Sequence, residues 1–397
     1  MSAYFASSNR WISLGLFALL SACGGTSPED ATQDVLALSA SARQAQWIPL
    51  GGDQNPTPAE SGSSISLAGD PRPNPVLAIS IPDYVTFTER SKVSLWNSGA
   101  WTQLGEPLTG AGPSIGMDSR RRIFACTGGG PYVSRWNGSS WVALGGNISE
   151  ETGYKGSRYA VYGCGGIVLD SSDTPIVVWS ADVGAKANAV YAARWNSDLR
   201  KWEGLGEGAI YARATDANID IDSRDRLYVT TYTPGGSYGG GATTRAWRWN
   251  GNRWRQLGAD MPATANPAIA VYDNAPYLAL HDNATGALQI MRWQHQSWVA
   301  LPSPGAGDLP ALDFTLSGKL VAAYATPDST TPLQVQYFAN GAWSAVGAGL
   351  SDAAGSYVGL LDLSIDSQGR PSVGWSQTDS TGSSTSLFVK RYSAALP

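Results

Sequence analysis

Charge is scarce in this chain of 397 residues: Asp, Glu, Lys and Arg make up 15%, the net charge is −5, and no basic run occurs. Without clustered Lys and Arg there is nothing to neutralise a row of phosphates, so nucleic acid is not an expected partner. Histidine is scarcer still, with only His281 in LALHDN and His295 in RWQHQSW. A histidine metal site or a Ser-His-Asp hydrolase needs a histidine held by a neighbour, and one of these sits at a strand end, the other in a hairpin turn. Beyond residue 20 no apolar run approaches the roughly 20 residues that cross a membrane. No stretch has a helical period, and GGSYGGG (235–241) lies between two strand-like pieces rather than opening a helix as a phosphate loop would. No metal and no cofactor is expected.

What the chain does contain is a phrase written repeatedly. Residues 135–146 read RWNGSSWVALGG, and aligning its second tryptophan gives Trp47, Trp101, Trp141, Trp202, Trp254, Trp298 and Trp343. The steps of 54, 40, 61, 52, 44 and 45 residues suit propeller blades or solenoid units. The first aromatic of the phrase recurs as Trp96, Trp136, Trp195, Trp249, Trp293, Phe338 and Tyr392. Trp47 therefore has no partner before it and Tyr392 none after it, which a closed ring explains and an open stack does not. Each repeat splits into four short strand-like pieces, as in ANIDIDS, RLYVTTYT, TTRAWRWN and RWRQLGA. The expectation is an all-β, seven-bladed β-propeller over residues 45–397, four antiparallel strands per blade, closed by pairing of the N-terminal strand with the C-terminal blade.

The aromatic pair flanking each hairpin falls on one face and reads as packing. The recurring Asp118, Asp170, Asp222 and Asp366 read as turn residues that hold neighbouring backbone amides. In DANIDIDS, Asp216, Asn218, Asp220 and Asp222 share one strand face, an oxygen-rich row of the kind calcium favours, but the glycine and terminal acid of an EF-hand loop are missing.

RWNGSSWVALGG resembles the tryptophan-rich repeats of tectonin-like and bacterial fucose-binding propeller lectins, which implies a glycan-binding propeller; no binding residue is carried over. At the other end, Arg10 precedes an apolar run from Trp11 to Leu20 and then Leu20-Ser21-Ala22-Cys23. A run this short reads as an export signal rather than a span. Leu-Ser-Ala-Cys resembles the bacterial lipoprotein box, which implies a signal peptide over 1–22, cleavage, and diacylglycerol plus an amide-linked chain such as palmitate on Cys23. Several buried chains would anchor the protein firmly to the membrane. Residues 23–44 read as a flexible tether. Gly24 and Gly25 follow the cysteine, so by analogy with enteric bacteria the outer membrane is the expected site in the cell envelope. Cys126 and Cys164 remain, and a link between neighbouring blades two and three is expected.

Long loops cluster in blades three and four, at 145–166, 180–189 and 233–244. Function tends to sit on such loops, and side chains at second-strand ends would border that face. The candidate ligand surface is Trp179, Tyr232, His281, Tyr324 and Trp375, with Tyr154, Arg158 and Tyr159. Two functions stay open: a membrane-anchored, non-enzymatic lipoprotein that binds glycan or protein, and a carbohydrate-active hydrolase or lyase using acids such as Glu150, Glu151, Asp182 or Asp282. The fold does not decide between them.

Overall fold

The chain's computed structural model describes residues 45–54, 64–69, 74–83, 88–154, 161–184, 187–236, 241–262, 266–328, 330–351, 357–382 and 384–396. The proposed signal peptide, tether and Cys23 lie outside these residues, as do Arg158 and Tyr159.

Seven antiparallel sheets follow one another in chain order. Blade one is Ile65–Ala68, Val76–Asp83, Thr88–Asn97 and Ala100–Gln103; blade two is Ser114–Met117, Ile123–Thr127, Tyr132–Trp136 and Trp141–Ala143. Blade three is Val161–Leu169, Pro175–Gly184, Ala187–Asn196 and Lys201–Gly204; blade four is Asp216–Ile221, Leu227–Thr233, Thr243–Trp249 and Trp254–Gln256. Blade five is Ala268–Tyr272, Ala275–His281, Leu288–Gln294 and Ser297–Ala300; blade six is Asp308–Phe314, Leu320–Ala325, Leu333–Ala339 and Ala342–Ala345. Blade seven begins with Tyr357–Ile365, Pro371–Thr378 and Thr385–Tyr392, and its fourth strand is Trp47–Pro49. Trp47 pairs with Tyr392 and Pro49 with Lys390, so the ring closes as the offset aromatics require. The single described helix is one turn, Ile148–Glu151, whose first N–H groups are accepted by the Asn147 side chain.

The core is divided among the seams between blades. Second strands such as Ile123–Thr127 and Pro371–Thr378 are buried along their whole length, because a neighbouring blade covers each face. This is why they read as continuous apolar runs while the outermost strands are mostly exposed.

The repeated phrase has a role in all seven seams. Its two aromatics sit opposite one another with ring centroids 5.1–5.5 Å apart. The indole Nε1–H of the second ring then donates to a carbonyl just past the last strand of the preceding blade, at 2.6–2.8 Å: Trp47 to Val346, Trp101 to Leu50, Trp141 to Leu104, Trp202 to Leu144, Trp254 to Leu205, Trp298 to Leu257 and Trp343 to Pro302. In six of the seven a glycine follows that carbonyl residue, Pro302 being followed by Ser303; Gly258, for example, has φ +77, and a Cβ there would lie 3.0 Å from Trp298. Glycine satisfies both demands at once, the left-handed backbone and the close approach of the next blade's indole.

A second belt runs through the turns after the first strands. Asp118, Asp170, Asp222 and Asp366 each accept two backbone N–H groups at 2.7–3.0 Å. Each also meets a guanidinium, from Arg122, Arg194, Arg226 and Arg370 respectively. Burial alone would raise the Asp222 carboxyl, but the N–H groups of Arg226 and Arg224 and the Arg226 guanidinium outweigh it and hold it below the usual range. Between blades, Ser119 grips Asp173 and Ser171 grips Asp225 through both N–H and hydroxyl, at 2.6–2.8 Å. A disulfide joins Cys126 in blade two to Cys164 in blade three.

Candidate axial binding cavity

The first strand of each blade is a sheet edge, paired on one side only, so half of its backbone polar groups face the axis. Around that axis lies a cavity of about 520 Å³ to which all seven blades contribute. That volume lies within the range typical of small-molecule sites. Its polar lining includes Ser66, Ser114, Ser180, Asp216, Asn218 and Asp362. Among the described residues no Lys, Arg or His lines it.

The edge N–H groups of several blades are already taken by the preceding blade. Asp362 of blade seven accepts from Leu67 of blade one at 2.7 Å, Asp220 of blade four from Val271 of blade five at 2.6 Å, and Asp313 of blade six from Ile365 of blade seven at 2.7 Å. The second oxygen of each accepts the N–H of the next residue along its own strand, at 2.6–2.8 Å. Ser66 does the same for Ile115 at 3.2 Å. Burial along the inner strands pushes Asp220 and Asp313 up to about 7 and Asp362, which lines the cavity, up to about 6, against the pull of their N–H partners. Asp220 and Asp362 add to the rise at Asp313 by like charge.

Asp216 differs. Its Oδ1 accepts from Ala217 at 2.8 Å, and that is its one hydrogen bond to the described protein, so Oδ2 stays uncommitted. Burial raises its carboxyl to about 6. Tyr232 stands directly across the strand pair from it. The Tyr232 phenol is raised by burial and by the Asp216 charge.

The sequence-derived surface does not assemble as one face. Trp179 and Trp375 have no exposed area and Tyr324 has 2%, so their rings belong to seams between blades and offer no area to a ligand. Trp179 stacks on Tyr191 at 5.7 Å, Tyr154 stacks on the same Tyr191 at 5.1 Å, and the Tyr154 hydroxyl donates to Gly206. Trp375 packs on Phe388 and donates to Gln377, while Tyr324 donates to Pro304. Tyr232 and His281 are half-buried, with His281 Nδ1 2.7 Å from the carbonyl oxygen of Gly307.

The acids considered for hydrolysis are also scattered. Glu151 accepts from Gly146 and Trp202, which ties the helix to blade three. Asp282 caps its own turn through Ala284 and Thr285. Asp182 sits near the end of a hairpin opposite Asn188, and Glu150 lies exposed on the helix. A second hollow, about 690 Å³ between blades three and four, gathers Arg194, Arg224, Arg226 and Arg248 against Asp170, Glu203 and Asp225. Two of these guanidinium groups are already paired, Arg194 with Asp170 and Arg226 with Asp222.

The chain matches no family model and no curated protein. Among solved structures it is similar to a Dyadobacter fermentans protein of unknown function, at 11% identity and TM-score 0.50, over 87% of this chain and 98% of that one. It is similar to the propeller domain of the Pyrococcus furiosus trilobed protease at 7% identity and TM-score 0.51, over 84% and 97%. A puromycin-hydrolysing peptidase of Mycobacterium tuberculosis aligns at 13% identity and TM-score 0.53, over 86% of this chain and 56% of that one. At these identities the likeness is one of fold. The Pyrococcus domain is described as having an open velcro topology, whereas here Trp47–Pro49 completes blade seven.

Proposed function

We propose that this chain is an exported, lipid-anchored binding protein that holds a glycan or protein ligand on its propeller and performs no chemistry on it. The observation that carries this reading is the use made of the acids. Asp220, Asp313 and Asp362 each spend one oxygen on a backbone N–H of the next blade and the other on an N–H of their own strand, while Glu151 is held by Gly146 and Trp202 and Asp282 by its own turn. A hydrolase of the usual two-carboxylate kind needs one acid free to donate a proton and a second free to attack or to activate water. Among the described residues the axial lining supplies one uncommitted carboxyl, Asp216, and that residue is what favours the competing reading of a carbohydrate-active enzyme.

The anchor belongs to the same proposal. The apolar run at 11–20 and Leu-Ser-Ala-Cys support export and acylation of Cys23, and Gly24-Gly25 supports the outer membrane. A glycan screen of the full chain, with product analysis of every ligand retained, tests the functional reading. Retention of a glycan that is recovered intact is expected. A shortened or unsaturated product would overturn the binding reading in favour of the enzyme.

A further inference from the structure

The chemistry of the axial cavity goes further than its shape. Several donors of the inner strands are committed: the N–H groups of Leu67 and Ile115 in the cavity wall, and of Val271 and Ile365 further along the inner strands of their own blades, are each held by the preceding blade. The hydroxyl of Ser180 donates to the Thr215 carbonyl at 3.0 Å, and the amide of Asn218 donates to Pro267 at 2.7 Å, which leaves their oxygens as acceptors. The free Asp216 Oδ2 and the oxygens of Ser180 and Asn218 remain to meet a ligand, and no described lining residue carries positive charge. An anionic ligand would face Asp216 and Asp362 without a counter-charge, and a buried unpaired charge is costly. A donor-rich, positively charged ligand meets the opposite situation, because charge-assisted hydrogen bonds to a carboxylate are about twice as strong as neutral ones.

From this, and resting on the binding reading above, we propose that the axial cavity takes a small sugar bearing a free ammonium group, with Asp216 Oδ2 as the ammonium's partner. The burial that raises the Asp216 carboxyl to about 6 still leaves it ionised at pH 7. Among the described residues no three His, Cys, Asp or Glu side chains are placed to ligate a metal ion, which favours an organic cation over a divalent one. Hydroxyl groups of the sugar would donate to the Ser and Asn oxygens and to edge carbonyls.

Titration calorimetry on the full chain in detergent at pH 7, with glucosamine, N-acetylglucosamine and glucose as probes, tests this. Glucosamine is expected to bind at least tenfold more tightly than either neutral sugar, and Asp216→Asn to remove at least tenfold of that affinity. The ligand comparison on the unaltered chain stands without any variant. Equal binding of glucose and glucosamine, no glucosamine binding by the folded chain, or glucosamine affinity untouched in a folded Asp216→Asn chain would each overturn the proposal. If neutral glycans are retained in the screen while glucosamine is not, this inference fails and the binding reading stands. If no glycan or protein is retained at all, the binding reading itself fails.

Discussion

Trp254 shows what one residue contributes to a repeated architecture. Its ring pairs with Trp249 at 5.3 Å and its Nε1–H reaches back 2.8 Å to Leu205 of blade three. Phenylalanine keeps an aromatic face but removes the donor and leaves the carbonyl without its partner. A lost hydrogen bond of this kind plus the smaller ring costs about 1–3 kcal/mol. Trp254→Phe should therefore lower the guanidinium unfolding midpoint with little change in slope, and an unchanged midpoint would show that the indole bond contributes nothing. The pairing of the aromatics was legible in WNGSSW because a hairpin is local. The bond to the preceding blade was not, because its acceptor lies 49 residues away and is a backbone carbonyl with no signature of its own.

At the scale of the element, the first strands explain why part of the site was hidden. DANIDIDS announces its acids by alternation, so Asp216, Asn218, Asp220 and Asp222 stood out together. Asp313 in LDFTLS and Asp362 in LDLSIDS lack the further acid, two or four positions away within the strand, that marks DANIDIDS, and their cross-blade N–H partners lie 52 and 295 residues away in sequence. Likewise, the placement of Trp179, Tyr324 and Trp375 on second strands was readable, but Trp179 and Trp375 lie inside those strands rather than at their ends, and the coverage of all three by a neighbouring blade left no mark in the sequence. These inner-strand acids also set a pH dependence. In the unfolded chain an aspartate titrates near 3.9. In the folded chain Asp216 and Asp362 are raised to about 6, and Asp220 and Asp313 to about 7. The folded state therefore holds more protons between about pH 4 and 7, and stability must rise as pH falls through that window. The urea midpoint should be higher at pH 5 than at pH 8, and Asp313→Asn should flatten the difference. The turn acid Asp222 is lowered instead, so its contribution is lost only below the same window. A midpoint that falls steadily from pH 8 to pH 5 would contradict the enclosure of these carboxyls.

For the whole molecule the governing fact is closure. The cavity, the inner-strand stitching and the indole belt all presuppose a ring, since Asp362 of blade seven holds Leu67 of blade one and Trp101 of blade one holds Leu50 beside blade seven. Closure was legible because Trp47 and Tyr392 were each left without a partner in the aligned phrase, whereas the ligand was not, since no motif spells out a lining drawn from seven strands. The backbone bonds from Leu50 to Val389 and from Ser393 to Gln46 make Pro49 and Lys390 a non-hydrogen-bonded pair. Such pairs hold their Cα atoms about 4.5 Å apart, within reach of a disulfide, while Cα atoms more than about 7 Å apart cannot be bridged. The most direct measurement is peptide mapping of the full chain carrying Pro49→Cys and Lys390→Cys after mild oxidation. A disulfide-linked peptide joining positions 49 and 390 is predicted, and free thiols at both positions in folded protein would contradict the closed ring.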